Sequence, residues 1–390
     1  MTEPLERQAI ISGAAQSQIG RRLHRTGLDL TIEAALRAID DAGLTVADID
    51  GVSTYPGMGG VFGGATGAEV HDAAAALAQL ARRRRRRPAA SSGRSTRQCS
   101  RWPPVWPGTC WSTAPSWRAA AGPCGPAGAA GAGRCRSSFQ FLIPYGVTSA
   151  ANWISCYARR HMHDYGTTRE QLGAIAISAR TNAATNPQAI YTDPMTMDDY
   201  LTVRMISDPF GLYDCDVPCD GSTAVIVSHR DFAPDVRHGV VHVNAMGTAL
   251  RGRPSWDQFD DLTTMAMRDS AASMWERTEL TPADVDTAQL YDGFSWLAMA
   301  WIEALGFCGK GEGGPFVEGG ARIAPDGDLP LNTWGGQLSG GRLHGFGFLH
   351  EGVMQLRGTA NLQVPDCEVA AVGAGGGPES GCLLLTKGIR

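Results

Sequence analysis

Along the first fifty residues, the spacing of apolar side chains changes from a continuous run to a helical period. Residues 8–13 form a short apolar run that is typical of a buried strand, and residues 30–42 place their apolar side chains on one face of a helix. The heptapeptide LTVADID at 44–50 and a second predicted strand at 51–55 follow. A strand, a helix and a strand in this order predict a βαβ unit.

The same series recurs in the second half of the sequence. A strand at 239–245 and a helix at about 263–279 precede the heptapeptide LTPADVD at 280–286, and a strand at 287–291 follows it. The two heptapeptides are identical at five of seven positions, and each has a threonine followed three residues later by an aspartate, the pattern of a helix cap. A duplication of this kind predicts two similar α/β halves, residues 1–237 and 238–390, with parallel strands joined by right-handed crossovers.

A long connection at 138–208 lies between the two series. It contains a predicted helix at 149–165 and a second helix that begins near Thr168, where Thr168 and Gln171 form a capping-box pattern. The apolar run at 222–227 predicts a strand that completes the first half.

Residues 74–137 interrupt this pattern. The segment contains six consecutive arginines at 82–87 and four of the ten tryptophans among prolines, glycines and alanines, and it has no helical or strand period. One interpretation is a basic, disordered low-complexity insert. The alternative interpretation is that this segment is translated in the wrong reading frame. In a frame shifted by two bases, residues 94–116 are replaced by a sequence with the pattern of an amphipathic helix followed by an apolar strand.

Composition narrows the class of protein. The chain has 390 residues, 43% hydrophobic and 19% charged, with a net charge of −5, which is typical of a globular protein and gives no general attraction for nucleic acid. Neither a signal peptide nor an apolar run long enough to span a membrane is evident, so we expect a cytoplasmic protein. The ten cysteines have no metal-like spacing, so we expect free thiols and no metal site.

Four motifs in order along the chain indicate a family. They are DGSTA at 220–224, YDGF at 291–294, NTWGG at 332–336 with LHG at 343–345, and GGG at 375–377. Together they resemble the thiolase superfamily, in its lipid-transfer-protein branch, which is related to sterol-carrier-protein-type thiolases. The resemblance covers nearly the whole chain outside 74–137.

The resemblance implies a fold and partners. It implies an α/β fold, a thiolase-like five-layered αβαβα sandwich of two duplicated halves, with a loop domain inserted at 138–208. It also implies an acyl-CoA substrate, so that coenzyme A enters as part of the substrate and no separate cofactor is expected. A homodimer that pairs first-half sheet edges is expected, as is a small OB-fold partner that completes the acyl pocket.

The departures from the thiolase pattern change the expected chemistry. The position of the first catalytic cysteine falls within 74–137, and that of the second is Gly373. Tyr291 stands in place of the water-holding asparagine, and Arg342 in place of the histidine, with His344 two residues further on. Claisen condensation needs a thiolate, so it is not expected here.

Steroid side-chain-cleaving aldolases of this branch use tyrosines instead. The resemblance therefore implies retro-aldol cleavage, or acyl transfer, on a lipid or steroid acyl-CoA thioester, with Tyr291 and His344 as catalytic candidates. It implies that Arg342 and Gly345 bind substrate or CoA, and that backbone amides of Gly375, Gly376 and Gly377 bind the thioester oxygen.

Each of these residues also has a structural interpretation. Tyr291 can be a half-buried tyrosine that ends a strand, and His344 can be a loop histidine bonded to a carbonyl. The corresponding alternatives for the protein are a non-catalytic acyl-CoA or lipid-binding protein and an inactive frameshifted homologue.

Sequencing the DNA across codons 74–137 tests the shifted frame. We expect a base change near one end of this segment that is compensated near the other, restoring a core helix and strand. Independent genomic reads that agree with the frame as written would contradict this, and the first-half core would then be incomplete.

Overall fold

The computed structural model describes residues 4–53, 111–114, 143–147, 149–250 and 260–388. The strands are β1 (Ala9–Gln16), β2 (Trp111–Ala114), β3 (Met205–Ser207), β4 (Phe210–Gly211), β5 (Gly221–His229), β6 (Val241–Leu250), β7 (Thr287–Leu290), β8 (Val369–Gly375) and β9 (Glu379–Thr386). The α-helices are α1 (Gly27–Asp41), α2 (Ala150–Tyr165), α3 (Arg169–Ala183), α4 (Met197–Thr202), α5 (Met265–Trp275), α6 (Ser295–Ala304), α7 (Gly313–Val317) and α8 (Phe346–Arg357).

Seven of these strands form one mixed sheet in the order β2-β5-β1-β6-β9-β8-β7, and β3 and β4 form a separate hairpin. Strands β7 and β8 are parallel, whereas every other neighbouring pair in the large sheet is antiparallel. The prediction of parallel strands is therefore wrong for most pairs. The reason is that β5 and β9 insert next to β1 and β6 and run in the opposite direction.

The two halves nevertheless share a local plan. Helix α1 packs on β1 and β5, and helix α5 packs on β6 and β9. The predicted capping boxes are confirmed in both heptapeptides, since Thr45 N donates to Asp48 Oδ2 and Thr281 N donates to Asp284 Oδ2, each at 2.8 Å. The proposed domain boundaries remain predictions.

Residues 74–137 contribute one strand to the described part of the structure. Strand β2 pairs antiparallel with β5, with Trp111 opposite Ala224 and Ala114 opposite Gly221. A strand therefore forms at four positions of a segment whose sequence has no strand period, and the rest of 74–137 lies outside the described residues. The predicted strand at 51–55 is not formed at 51–53, and Thr54 and Tyr55 also lie outside the described residues.

The connection at 149–208 packs against the second half through a buried polar contact. His161 of α2 is fully buried, and its Nε2 lies 2.9 Å from Glu303 Oε1 of α6, while its Nδ1 lies 2.8 Å from Thr167 Oγ1. The predicted capping box of α3 is confirmed, because Gln171 N donates to Thr168 Oγ1 and Thr168 N donates to Gln171 Oε1. No helix in the described part of the chain is long and apolar enough to cross a membrane.

Helix α8 connects the two halves on one face of the sheet. It contacts β7 and β8 of the second half and β1 and β5 of the first. Its last residue, Arg357, donates to Asp41 Oδ2 at 2.7 Å, to Ser12 O at 3.0 Å and to Gly239 O at 3.0 Å. The Arg357 side chain is only 3% exposed, so these three bonds to α1, β1 and the start of β6 replace its hydration.

Replacing Arg357 tests this connection. Arg357→Met removes the arginine partner of the partly buried Asp41 carboxylate, so we expect the free energy of unfolding to fall by roughly 2–4 kcal/mol. The matched control is Arg159→Met, which breaks an ion pair with Asp208 whose side chains are both more than half exposed, and should cost less than about 1 kcal/mol. Equal losses in denaturant titrations of the two variants would contradict a special role for Arg357.

Candidate active site

The carboxyl ends of the two parallel strands lie side by side. Tyr291 follows β7 directly, and its backbone N–H donates to Gly373 O of β8 at 3.0 Å. The Tyr291 ring packs at 6.1 Å from the ring of Phe348 in α8 and lies over Gly293, where an added Cβ would be 2.6 Å from the ring. Any larger residue at Gly293 would therefore displace the tyrosine.

Asp292 fixes the loop that faces this edge. It is fully buried, and its Oδ1 accepts from Gln337 N at 2.7 Å while its Oδ2 accepts from Asn332 Nδ2 at 3.1 Å. Asn332 in turn accepts from Leu290 N at 2.7 Å and donates to Leu290 O at 2.9 Å, which continues the pairing of β7. At Gly336 an added Cβ would lie 1.9 Å from Asp292 Oδ2, so only glycine fits there.

Burial raises the pKa of Asp292 to about 7, although the hydrogen bonds from Gln337 and Asn332 act against this shift. The carboxyl therefore changes charge near neutral pH. Its protonation state alters the strength of the contacts that hold the loop at 332–337.

The loop continues as a π-helix, Gly336–Gly340, and leads to the predicted binding and catalytic residues. Gln337 Oε1 accepts from His344 N at 2.9 Å, and His344 has a left-handed backbone with a φ of 47°. Burial and the neighbouring Arg342 cation lower the pKa of His344 to about 3. Its imidazole is therefore neutral at physiological pH.

Arg342 forms an ion pair that the sequence did not indicate. Its Nη1 lies 3.2 Å from Asp216 Oδ1, and both side chains are largely buried. Asp216 N donates to Gly293 O at 3.1 Å, and Arg342 N donates to Val217 O at 2.9 Å. These contacts attach the Arg342 loop to the backbone two residues after Tyr291.

The predicted glycines approach the same edge. An added Cβ at Gly345 would lie 3.0 Å from Ala374 Cβ of β8, and Gly345 has a φ of 93°. Gly375 ends β8 with a φ of 83°, and its carbonyl accepts from Trp301 Nε1 at 2.8 Å. Gly376 and Gly377 then form part of the turn between β8 and β9. Tyr291, Gly345 and Gly375 thus gather at the ends of β7 and β8, with Arg342 and His344 attached through Asp216 and Gln337.

The described thiols do not supply a thiolate here. Gly373, at the position of the second thiolase cysteine, pairs across the sheet with Cys382, which is 1% exposed. Burial raises the pKa of Cys382 to about 12, and that of Cys219 to about 12. Both thiols are therefore protonated at neutral pH, and neither is an activated nucleophile.

Sequence reasoning missed three features of this region. Asp216 and Gln337 had no motif of their own, and 126 residues separate Asp216 from Arg342. The third is a cavity of about 110 Å³ beside α8, lined by residues that include Trp334, His350 and Glu351. Among the described residues, no cluster of three or more His, Cys, Asp or Glu side chains could hold a metal ion.

The titration of Asp292 is testable. A carboxyl whose pKa is raised by folding contributes stability below its unfolded pKa and loses it as the pH rises through about 7. We expect wild-type stability, relative to Asp292→Asn, to fall between pH 5 and pH 8. The variant itself should be less stable at pH 5 by roughly 1–3 kcal/mol, because its NH₂ group faces other donors. Thermal melts with the same pH dependence for both proteins would contradict the assignment.

Comparisons with known proteins identify relatives of this chain. Residues 248–383 match the family model "Thiolase C-terminal domain-like". The chain is 33% identical to the 17-hydroxy-3-oxo-4-pregnene-20-carboxyl-CoA lyase of Mycobacterium tuberculosis, over 97% of this chain and all of that protein. It is 32% identical to a steroid side-chain-cleaving aldolase of Thermomonospora curvata, over 96% of this chain and 97% of that protein.

Solved structures support the same relationship. The structure described as "Ltp2-ChsH2(DUF35) aldolase" is 28% identical, covers 98% of both chains and has a TM-score of 0.77. Human mitochondrial 3-ketoacyl-CoA thiolase, at 12% identity and a TM-score of 0.61, shares the fold. The predicted thiolase-like α/β fold is confirmed, while its division into five layers remains a prediction. The chain therefore belongs to the thiolase superfamily, in the branch that contains the steroid side-chain-cleaving aldolases.

Proposed function

We propose that this protein is a carbon–carbon lyase that cleaves a β-hydroxyacyl-CoA thioester of lipid or steroid type by a retro-aldol reaction. The observation that carries the proposal is the position of Tyr291. Tyr291 directly follows β7, its backbone N–H donates to Gly373 O of β8, and Gly373 stands at the position of the second thiolase cysteine. In this proposal the phenol takes the place of the cysteine chemistry of a thiolase.

The reaction needs one proton to leave and one to arrive. A base removes the proton of the β-hydroxyl group, the Cα–Cβ bond breaks, and the β-carbon departs as a ketone. The electron pair of the broken bond moves to the thioester as an enolate, and protonation at Cα gives the shortened acyl-CoA. A tyrosine can remove the first proton as phenolate or deliver the second as phenol.

The other predicted residues fit supporting roles in this scheme. With its pKa lowered to about 3, the His344 imidazole stays neutral, so it can position the substrate by hydrogen bonding but is a weak proton acceptor at neutral pH. Backbone N–H groups near Gly345 and in the turn at 375–377 can donate to the thioester oxygen as it becomes negative. Arg342 offers a guanidinium for a carboxylate or a CoA phosphate, provided that a ligand competes with Asp216.

The printed names of the relatives support the substrate class. One names a lyase of a steroid carboxyl-CoA and another a steroid side-chain-cleaving aldolase. A solved relative is described with two components, Ltp2 and ChsH2(DUF35), which supports a partner for this chain too. We propose a small OB-fold protein that completes the acyl pocket, a homodimer formed through first-half sheet edges, and a cytoplasmic location.

One observation favours the binding-only alternative. Arg342, at the position of the thiolase histidine, is held in an ion pair, so a catalytic position carries a binding group. A relative is named non-specific lipid-transfer protein-like 2, from Caenorhabditis elegans, at 30% identity over 62% of the chain. A non-catalytic acyl-CoA-binding protein would keep this site and show no turnover.

Removing the phenol separates the two functions. Tyr291→Phe should lower kcat for cleavage of a β-hydroxylated steroid acyl-CoA at least about 100-fold, because the acid/base group is lost. The affinity for the thioester should stay within about threefold, since a phenylalanine ring keeps the apolar contact with Phe348. Ketone release and calorimetric binding are measured on the full chain, with and without an OB-fold partner.

Tyr145→Phe is the matched control, because Tyr145 is 84% exposed and should not affect turnover. Wild-type binding with no turnover under any of these conditions would favour the binding-only alternative. Undiminished turnover by Tyr291→Phe would contradict the role of the tyrosine.

A further inference from the structure

Gln337 occupies the centre of the contacts that assemble the site. It is fully buried, in the π-helix between Asp292 and His344. Its backbone N–H donates to Asp292, its carbonyl accepts from Val217 N at 2.9 Å, and its side-chain oxygen accepts from His344 N. Three separate segments of the site therefore meet at one residue.

The other end of its side-chain amide is unpaired. Among the described residues, Gln337 Nε2 has no hydrogen-bond partner, although it is buried from solvent. A buried donor left without an acceptor destabilises the folded state, so its retention calls for an explanation. Apolar side chains of similar size could fill the same volume without this cost.

The position of the unpaired group is fixed by covalent geometry. The oxygen and nitrogen of a carboxamide share one carbon, so Nε2 lies beside the His344 backbone that bonds to Oε1. The side chain is held at its oxygen by the bond from His344 N, and the backbone of Gln337 is held by its own N–H, which donates to Asp292 Oδ1. The donor is thus held in place before any ligand arrives, as electrostatic catalysis requires.

We propose that Gln337 is a catalytic residue whose Nε2 donates a hydrogen bond to the enolate oxygen formed during C–C cleavage. This inference rests on the proposed function and names a residue beyond the candidates predicted from the sequence. The carboxamide then has two roles, since Oε1 positions His344 and Nε2 binds the oxygen that becomes negative. A hydrogen bond to a charged oxygen contributes more than one to a neutral carbonyl, so the effect should favour the enolate over the neutral thioester.

Two ligands that share the CoA group distinguish binding of the enolate oxygen from positioning of His344. Acetoacetyl-CoA loses an α-proton to form an enolate, whereas acetyl-CoA remains neutral at the same pH. Dissociation constants for both are measured by calorimetry at pH 9 on the full chain and on variants. The ratio of the two constants reports recognition of the enolate, because changes in CoA binding or in overall folding affect both ligands equally.

The enolate-binding role and a purely structural role predict opposite orders for the effects of two Gln337 variants. Gln337→Met removes both the donor and the acceptor, whereas Gln337→Glu keeps an acceptor for His344 N–H and places a negative oxygen where the donor was. We expect the preference for acetoacetyl-CoA to fall at least about tenfold in Gln337→Met and further in Gln337→Glu. A purely structural role predicts the reverse, with Gln337→Glu close to the wild type.

Gln171→Glu is the matched control, since Gln171 Oε1 also accepts a backbone N–H, from Thr168 at the start of α3. It should leave the ratio unchanged. An unchanged ratio in both Gln337 variants, or no preference for acetoacetyl-CoA in the wild type, would overturn the proposal. A wild type whose preference for the enolate depends on Gln337, but which cleaves no β-hydroxyacyl-CoA, would instead remove the proposed function and the catalytic role, and would leave Gln337 as a residue that binds an enolate oxygen.

Discussion

The buried carboxylate of Asp292 is the contact on which the candidate site depends. It stands one residue after Tyr291, at the end of β7, and accepts hydrogen bonds from Asn332 and from the backbone of Gln337. These two bonds hold the start of the π-helical loop directly against the end of β7. The close approach at Gly336 shows how little space the carboxylate leaves, since no side chain fits there.

The two partners of Asp292 connect it to the rest of the site. Gln337 accepts a hydrogen bond from His344 N, next to Gly345. Asn332 accepts one from Leu290 N, which continues the pairing of β7. Arg342 and Asp216 add a second attachment, to the segment that leads into β5 of the first half. The site is therefore built on strand ends and on a loop that is tied at several points, which favours fixed donors over mobile ones.

Local signals in the sequence predicted local structure well. Each threonine–aspartate pair in the two heptapeptides forms the predicted cap, and the glycines at Gly345 and Gly375 adopt the left-handed backbones that such motifs favour. Strand direction was not predictable in the same way, because the apolar pattern of β5 or β9 is the same for either direction. The Asp216–Arg342 pair and the unpaired amide of Gln337 depend on the tertiary arrangement of segments far apart in sequence, and no spacing rule connects them.

The central claim is that the chain breaks a carbon–carbon bond without a thiolate. It is tested most directly by the products formed from a β-hydroxylated steroid acyl-CoA, with and without added free coenzyme A. A retro-aldol enzyme must give one ketone and one shortened acyl-CoA in equal amounts, at a rate that added coenzyme A does not increase. Cleavage of the matching β-ketoacyl-CoA that requires free coenzyme A and yields two thioesters, with no cleavage of the β-hydroxylated thioester, would show thiolase chemistry and contradict the account.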